Sequence, residues 1–142
     1  MAYSNIEYLQ IPEAAAITTA SDVLLDFCPR RPARILGYGI ATIGAFTAGT
    51  GAVGGAIQLQ KNGTAQDTLT LPNANHAAGK VWERSELLRG RSGVSSPEAA
   101  IAAVDVAAGD RIRLVVSTAQ AAGTGGTAGS YVPYLIISRN GS

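Results

Sequence analysis

One cysteine, one histidine, one tryptophan and one methionine occur in the 142 residues, and each scarcity removes a class of chemistry. Cys28, alone, can form neither an intramolecular disulfide nor a cysteine-based zinc site, and with no positioned base in view it reads as an ordinary small thiol. Any Ser-His-Asp triad would have to use His76, yet no serine stands in a G-x-S-x-G elbow. One histidine and scattered carboxylates also offer no metal-ligand spacing. No stretch approaches 18 consecutive apolar residues, so no transmembrane helix is expected. The opening MAYSNIEYLQIPE has neither a basic n-region nor an apolar h-region, which argues against a signal peptide. The expectation is a soluble product made in a cytoplasm, with no membrane partner.

Charge is also scarce. Charged residues make up 15% of the chain, with a net charge of +1, against about 25% in ordinary soluble domains. The balance excludes a strongly basic nucleic-acid domain, and aromatics interleaved with cations for base stacking are missing. Disorder is excluded by the 46% hydrophobic content at low net charge. A chain of this size folds with about 6,900 Å² of surface, which leaves roughly one charged group per 330 Å².

What is present is small and β-prone: 17 glycines, 25 alanines and short runs of Val, Ile, Leu, Thr and Tyr between glycine-rich or polar punctuation. Residues 3–10, 23–28, 34–46, 56–61, 64–71, 99–106, 111–118 and 131–138 read as strands. Asn62-Gly63 is the strongest hairpin signal, with Ile57 and Leu59 alternating against Gln58 and Gln60. Along RILGYGIATIGAF (34–46), strict alternation puts Ile35, Gly37, Gly39, Ala41, Ile43 and Ala45 on one face, with Leu36, Tyr38, Ile40, Thr42, Gly44 and Phe46 on the other. Both faces are apolar and small, as in a strand covered on both sides. Residues 79–88 read as either a strand or a short helix. AAA at 14–16 and the stretch from Pro97 to Ala103 carry some helical propensity. QAAGTGGTAGS (120–130) reads as a flexible loop. The expected fold is all-β, a jelly-roll or Greek-key β-sandwich of about eight strands. Residues 1–20 form an N-terminal arm or first strand, and residues 21–142 form the sandwich domain.

No motif dictates a reaction, so no catalytic, cofactor-binding or metal-ligating residue is assigned and no enzymatic activity is expected. GTGAVG (49–54) matches G-x-G-x-x-G but precedes a strand, not a helix, and reads as an inter-strand loop. Asn62-Gly63-Thr64 is a formal glycosylation sequon best read as the hairpin turn itself. Glu83 and Glu86, three apart, sit near Arg84 and Arg89 and read as surface ion pairs. Arg30, Arg31 and Arg34, with Arg84, Arg89 and Arg91, are the densest positive features, suited to phosphate, to salt bridges with a neighbouring subunit or other acidic protein surface, or to plain solvation.

The segments IQLQKNGT, VAAGDRIRLVV and YVPYLIIS together resemble the second half of small jelly rolls in phage virions and in tumour-necrosis-factor-like and C1q-like domains. The most specific piece is AAGDRIRL (107–114), and the resemblance spans roughly residues 56–138. The chain looks most like a tailed-phage head decoration, or cement, protein. That resemblance implies a homo-oligomer, a trimer, seated on the capsid surface of the virion against the major capsid protein, with no nucleic-acid partner. Tyr3, Ile6 and Tyr8 are then candidates for partner contact or for an ordinary first strand. Arg30, Arg31, Arg34 and Trp82 complete the candidate contacts. A fibre-tip or carbohydrate-binding jelly-roll module is the alternative, with Trp82 and Tyr38 as its only plausible aromatic platforms.

Overall fold

The computed structural model describes residues 6–11, 13–86, 94–97 and 103–139, with backbone alone for 94–97. Ten strands follow one another with no helix among the described residues: β1 (Ile6–Gln10), β2 (Val23–Phe27), β3 (Ala33–Gly44), β4 (Ala56–Lys61), β5 (Thr64–Thr70), β6 (Val81–Ser85), β7 (Val94–Pro97), β8 (Val104–Val106), β9 (Ile112–Thr118) and β10 (Ser130–Ser138). They form two sheets. The larger runs β1-β10-β3-β6-β7 with β8 also on β3, and the smaller runs β2-β9-β4-β5. Every pairing is antiparallel except β6 with β7. Residues 79–88 therefore contain a strand. Around AAA at 14–16 there is no helical turn, because Ala15 exchanges both backbone hydrogen bonds with Tyr131. The helical start considered at residue 97 falls mostly on residues outside the described ones.

The pairings β1–β10, β2–β9, β3–β6 and β4–β5 nest inside one another. The chain is thus one long hairpin whose successive pairs lie in alternate sheets. Its apex is Asn62-Gly63, where φ is 51° and 81°, the left-handed values that a two-residue type I′ turn requires at both central positions.

Between the sheets, Ile35, Tyr38 and Ile40 of β3 and Leu135 and Ile137 of β10 pack with Ile57 and Leu59 of β4 and Leu114 and Val116 of β9. This is not the strict alternation expected along β3. Ile136 faces Gly37 while Ile137 faces Ile35, so Leu36 is the extra residue of a β-bulge. A bulge shifts the side-chain phase by one. Ile35 and Tyr38 consequently share the core, and Leu36 turns to the opposite face, where it joins Tyr134 and Ile136 in a second buried cluster with Val81 and Ala103 packed against it.

Candidate functional site

The two sheets present different outward faces. On the smaller one, register sets Thr68 beside Gln58 and Gln60 beside Arg113 and then Asp26, a polar face of the usual kind for an antiparallel sheet. On the larger one, the bulge and the register bring Leu36, Ala41, Ile43, Val81, Tyr134 and Ile136 to the outside. Leu36 and Ile136 are fully buried there, and Tyr134 is 7% exposed. Glu83, also fully buried, accepts hydrogen bonds from the hydroxyls of Tyr134 (2.6 Å) and Ser85 (2.8 Å). At the margin of this face the apolar side chains are open: Ile6 is 37%, Tyr8 48% and Ile43 54% exposed. Tyr8 lies across from Ile136, its ring centroid 6.0 Å from that of Tyr134. Ile6 and Tyr8 thus belong to a strand at the edge of the larger sheet, with their side chains outward. Tyr3 lies outside the described residues. Ile43 and Tyr134 were not singled out from the sequence, and the signal that marks them is the two-sided apolarity of β3 and β10.

A second feature occupies the end of the sandwich where β2 passes to β3, β4 turns into β5 and β8 passes to β9. Hydrogen bonds tie these three connections together. Gly109 N–H donates to the Pro29 carbonyl (2.9 Å), Asn62 N–H to the Arg111 carbonyl (2.8 Å), and Arg111 N–H to Asn62 Oδ1 (2.8 Å). Asp110 accepts from Asn62 Nδ2 (2.9 Å) and Ala107 N–H (2.8 Å), and the Asn62 bond leads the causes that hold its carboxyl below the usual range. Arg34 pairs with Asp105 (2.8 Å), Lys61 lies 3.7 Å from Asp110, and Arg111 (2.6 Å) and Arg113 (3.5 Å) share Asp26. Arg111, by its hydrogen bonds above all, lowers the pKa of Asp26. A groove of about 530 Å³ runs here between Arg34, Lys61, Asp105 and Asp110. Its charges already answer one another. Arg30 and Arg31 are exposed and have no ion-pair partner among the described residues.

The opposite end is closed by a buried polar hub. His76 Nδ1–H donates to the Ala74 carbonyl (3.1 Å), which leaves Nε2 to accept the Tyr131 hydroxyl (2.7 Å). That hydroxyl in turn accepts from Gln120 Nε2 (2.6 Å), and Gln120 also binds the Gly54 carbonyl and Gly129 N–H. Phe46 stacks on the imidazole and Trp82 meets it edge-on at 4.4 Å. Above the hub, the two glycine-rich segments form a ladder with each other: Thr47 with Thr127, Thr50 with Thr124 and Val53 with Ala121. Residues 120–130 are therefore a hydrogen-bonded element, not the free loop expected from composition. A Cβ on Gly126 would stand 2.2 Å from the Ala122 carbonyl oxygen, so only glycine allows the backbones this close.

Trp82 is 3% exposed and Tyr38 fully buried. Both face the sandwich core because β6 pairs Trp82 with Ile40 of β3. Trp82 accordingly offers no partner contact, and neither aromatic offers a carbohydrate platform. Tyr38 donates to Asp67 (2.7 Å), which also holds the guanidinium of Arg84 and so ties β5 to β3 and β6. Arg84, read as part of a basic surface run, is thus an internal cross-link between sheets. Among the described residues no group of three or more His, Cys, Asp or Glu side chains is placed to hold a metal ion. No family model, curated protein or solved structure matches the chain.

Proposed function

We propose that the chain is a virion structural protein, a capsid decoration or cement subunit that forms a homotrimer, binds the lattice of the major capsid protein and stabilises the head. The observation that carries this reading is the outward face of the larger sheet. An antiparallel sheet that ends at water normally alternates apolar and polar, and here Ile6, Tyr8 and Ile43, each more than a third exposed, lie at the margin of an outer face whose centre is a buried cluster of Leu36, Tyr134 and Ile136 beside Glu83. Obligate interfaces resemble a core cut in half, and a subunit that works by staying in place gains from such a surface. The nested hairpin with pairs in alternate sheets supports a jelly roll, an architecture that capsid proteins use. Fold alone does not assign function.

A clamp of this kind stabilises a shell by mass action, because it binds the assembled lattice and not the dispersed subunits. The test replaces Ile6 and Tyr8 with aspartate in the full chain. The variant should keep the far-UV circular dichroism and melting cooperativity of the parent, yet sediment as a smaller species and fail to co-sediment with heads assembled without this protein. Unchanged association and unchanged head binding would refute the reading.

A further inference from the structure

We infer that the end of the sandwich built from the β2–β3, β4–β5 and β8–β9 connections is a docking surface for an acidic protein partner, with Arg30 and Arg31 as the guanidinium groups that receive its carboxylates. The inference goes beyond the virion reading and stands whether or not the partner is a shell.

The first support is charge. Along this end each carboxylate is engaged by a cation: Asp105 by Arg34, Asp110 by Lys61, Asp26 by Arg111 and Arg113, and Glu7 by Arg139. Arg30 and Arg31 remain over, and with Asp26 shared between two arginines the local excess is three positive charges, on a chain whose whole net charge is +1. The excess is concentrated where three connections converge, and β3 carries the chain from here to the far end, where Lys80 lies beside Thr42.

The second support is rigidity. Arg30 and Arg31 stand between Pro29 and Pro32, two residues whose φ is locked by their rings. Pro29 is buried, and its carbonyl accepts the Gly109 N–H. The prolines restrict the backbone on either side of the two arginines, so less chain entropy opposes binding. Guanidinium forks suit carboxylates bidentately.

A phosphate backbone fits the same surface poorly. Asp105 has 82% of its side chain exposed and Asp26 37%, interleaved with the cations. A nucleic acid presents a charge about every 1.7 Å and would lay phosphates against these carboxylates, whereas a folded acidic surface offers discrete carboxylates with neutral ground between them. Ile6 lies beside Ser138, which pairs with Arg34, so the basic end is continuous with the apolar margin, as a polar rim adjoins an interface core.

The test measures binding of a fluorescent repeat polymer of spaced carboxylates, (Glu-Gly-Ser)n, to the full chain by anisotropy, comparing Arg31→Glu with Lys80→Glu. Both change the net charge equally, and each variant's melting is checked first. Arg31→Glu should weaken binding about tenfold or more, and Lys80→Glu at the far end by less than about twofold. Equal losses in the two variants would overturn the inference in favour of net charge alone. Absence of binding by the parent chain would overturn it outright. Duplex DNA that displaces the polymer at a lower concentration of charge would overturn it in favour of a phosphate partner.

Discussion

His76 shows how a single residue can carry opposite meanings in sequence and in space. In the segment PNANHAAG it reads as a loop histidine, yet it is 5% exposed and sits between Phe46, Trp82 and Tyr131. Burial lowers its pKa below the usual imidazole value, only partly offset by the bond to Ala74. A base whose folded pKa is depressed binds protons more readily in the unfolded chain, so its contribution to stability is complete above about pH 6.5 and is lost as pH falls below that value. Asp26 and Asp110, also lowered, contribute with the carboxylate sign, and their share is lost only at lower pH. The melting temperature should therefore decline between pH 7.5 and pH 5, and His76→Gln should flatten that decline while lowering the plateau. An equal slope in both proteins would contradict the hub as described. Trp82 makes the complementary prediction. Its replacement by alanine should cost about 3–5 kcal/mol of stability in denaturant titration, with no selective loss of partner binding in the fraction that folds.

At the scale of elements, the features legible in the sequence are local. The Asn62-Gly63 hairpin was readable because the turn demands left-handed φ at two adjacent positions, and few residue pairs supply it. The strands 111–118 and 131–138 were readable from their periodicity. The bulge at Leu36 was not, because it depends on which residue of β10 lies opposite, and the sequence of β3 alone suggests uninterrupted alternation. That one-residue shift decides that Tyr38 joins the core between the sheets and Leu36 the cluster on the opposite face. The glycine ladder was hidden for a similar reason. Residues 47–53 and 121–127 are far apart in the chain, and their glycines, read alone, signal flexibility; packed together they permit backbone contact. Gly126→Ala should force the Ala122 and Thr47 carbonyls aside, costing about 1–3 kcal/mol, whereas Gly125→Ala, whose Cβ would meet nothing within 4 Å, bears only the left-handed penalty of about 1–2 kcal/mol. Melting curves that rank the two in reverse would show that the ladder does not pack as described. Of the candidate contacts, Ile6, Tyr8, Arg30 and Arg31 emerged at the surface, Arg34 is tied to Asp105, and Trp82 went to the core.

For the whole molecule, the accessible surface is 6987 Å², close to the value of about 6,900 Å² expected from mass. The thin charge is thus spread over an ordinary area, and it is distributed unevenly. One sheet is polar outside, the other exposes Ile6, Tyr8 and Ile43 at its outer margin, and one end is basic. A free monomer would gain from none of these asymmetries, while a subunit held between neighbours would use each of them. The account is tested most directly by counting copies of this chain in purified particles by quantitative mass spectrometry against internal peptide standards. A decoration subunit should be present in numbers comparable to those of the major shell protein. Absence from the particles, or only a handful of copies, would contradict it.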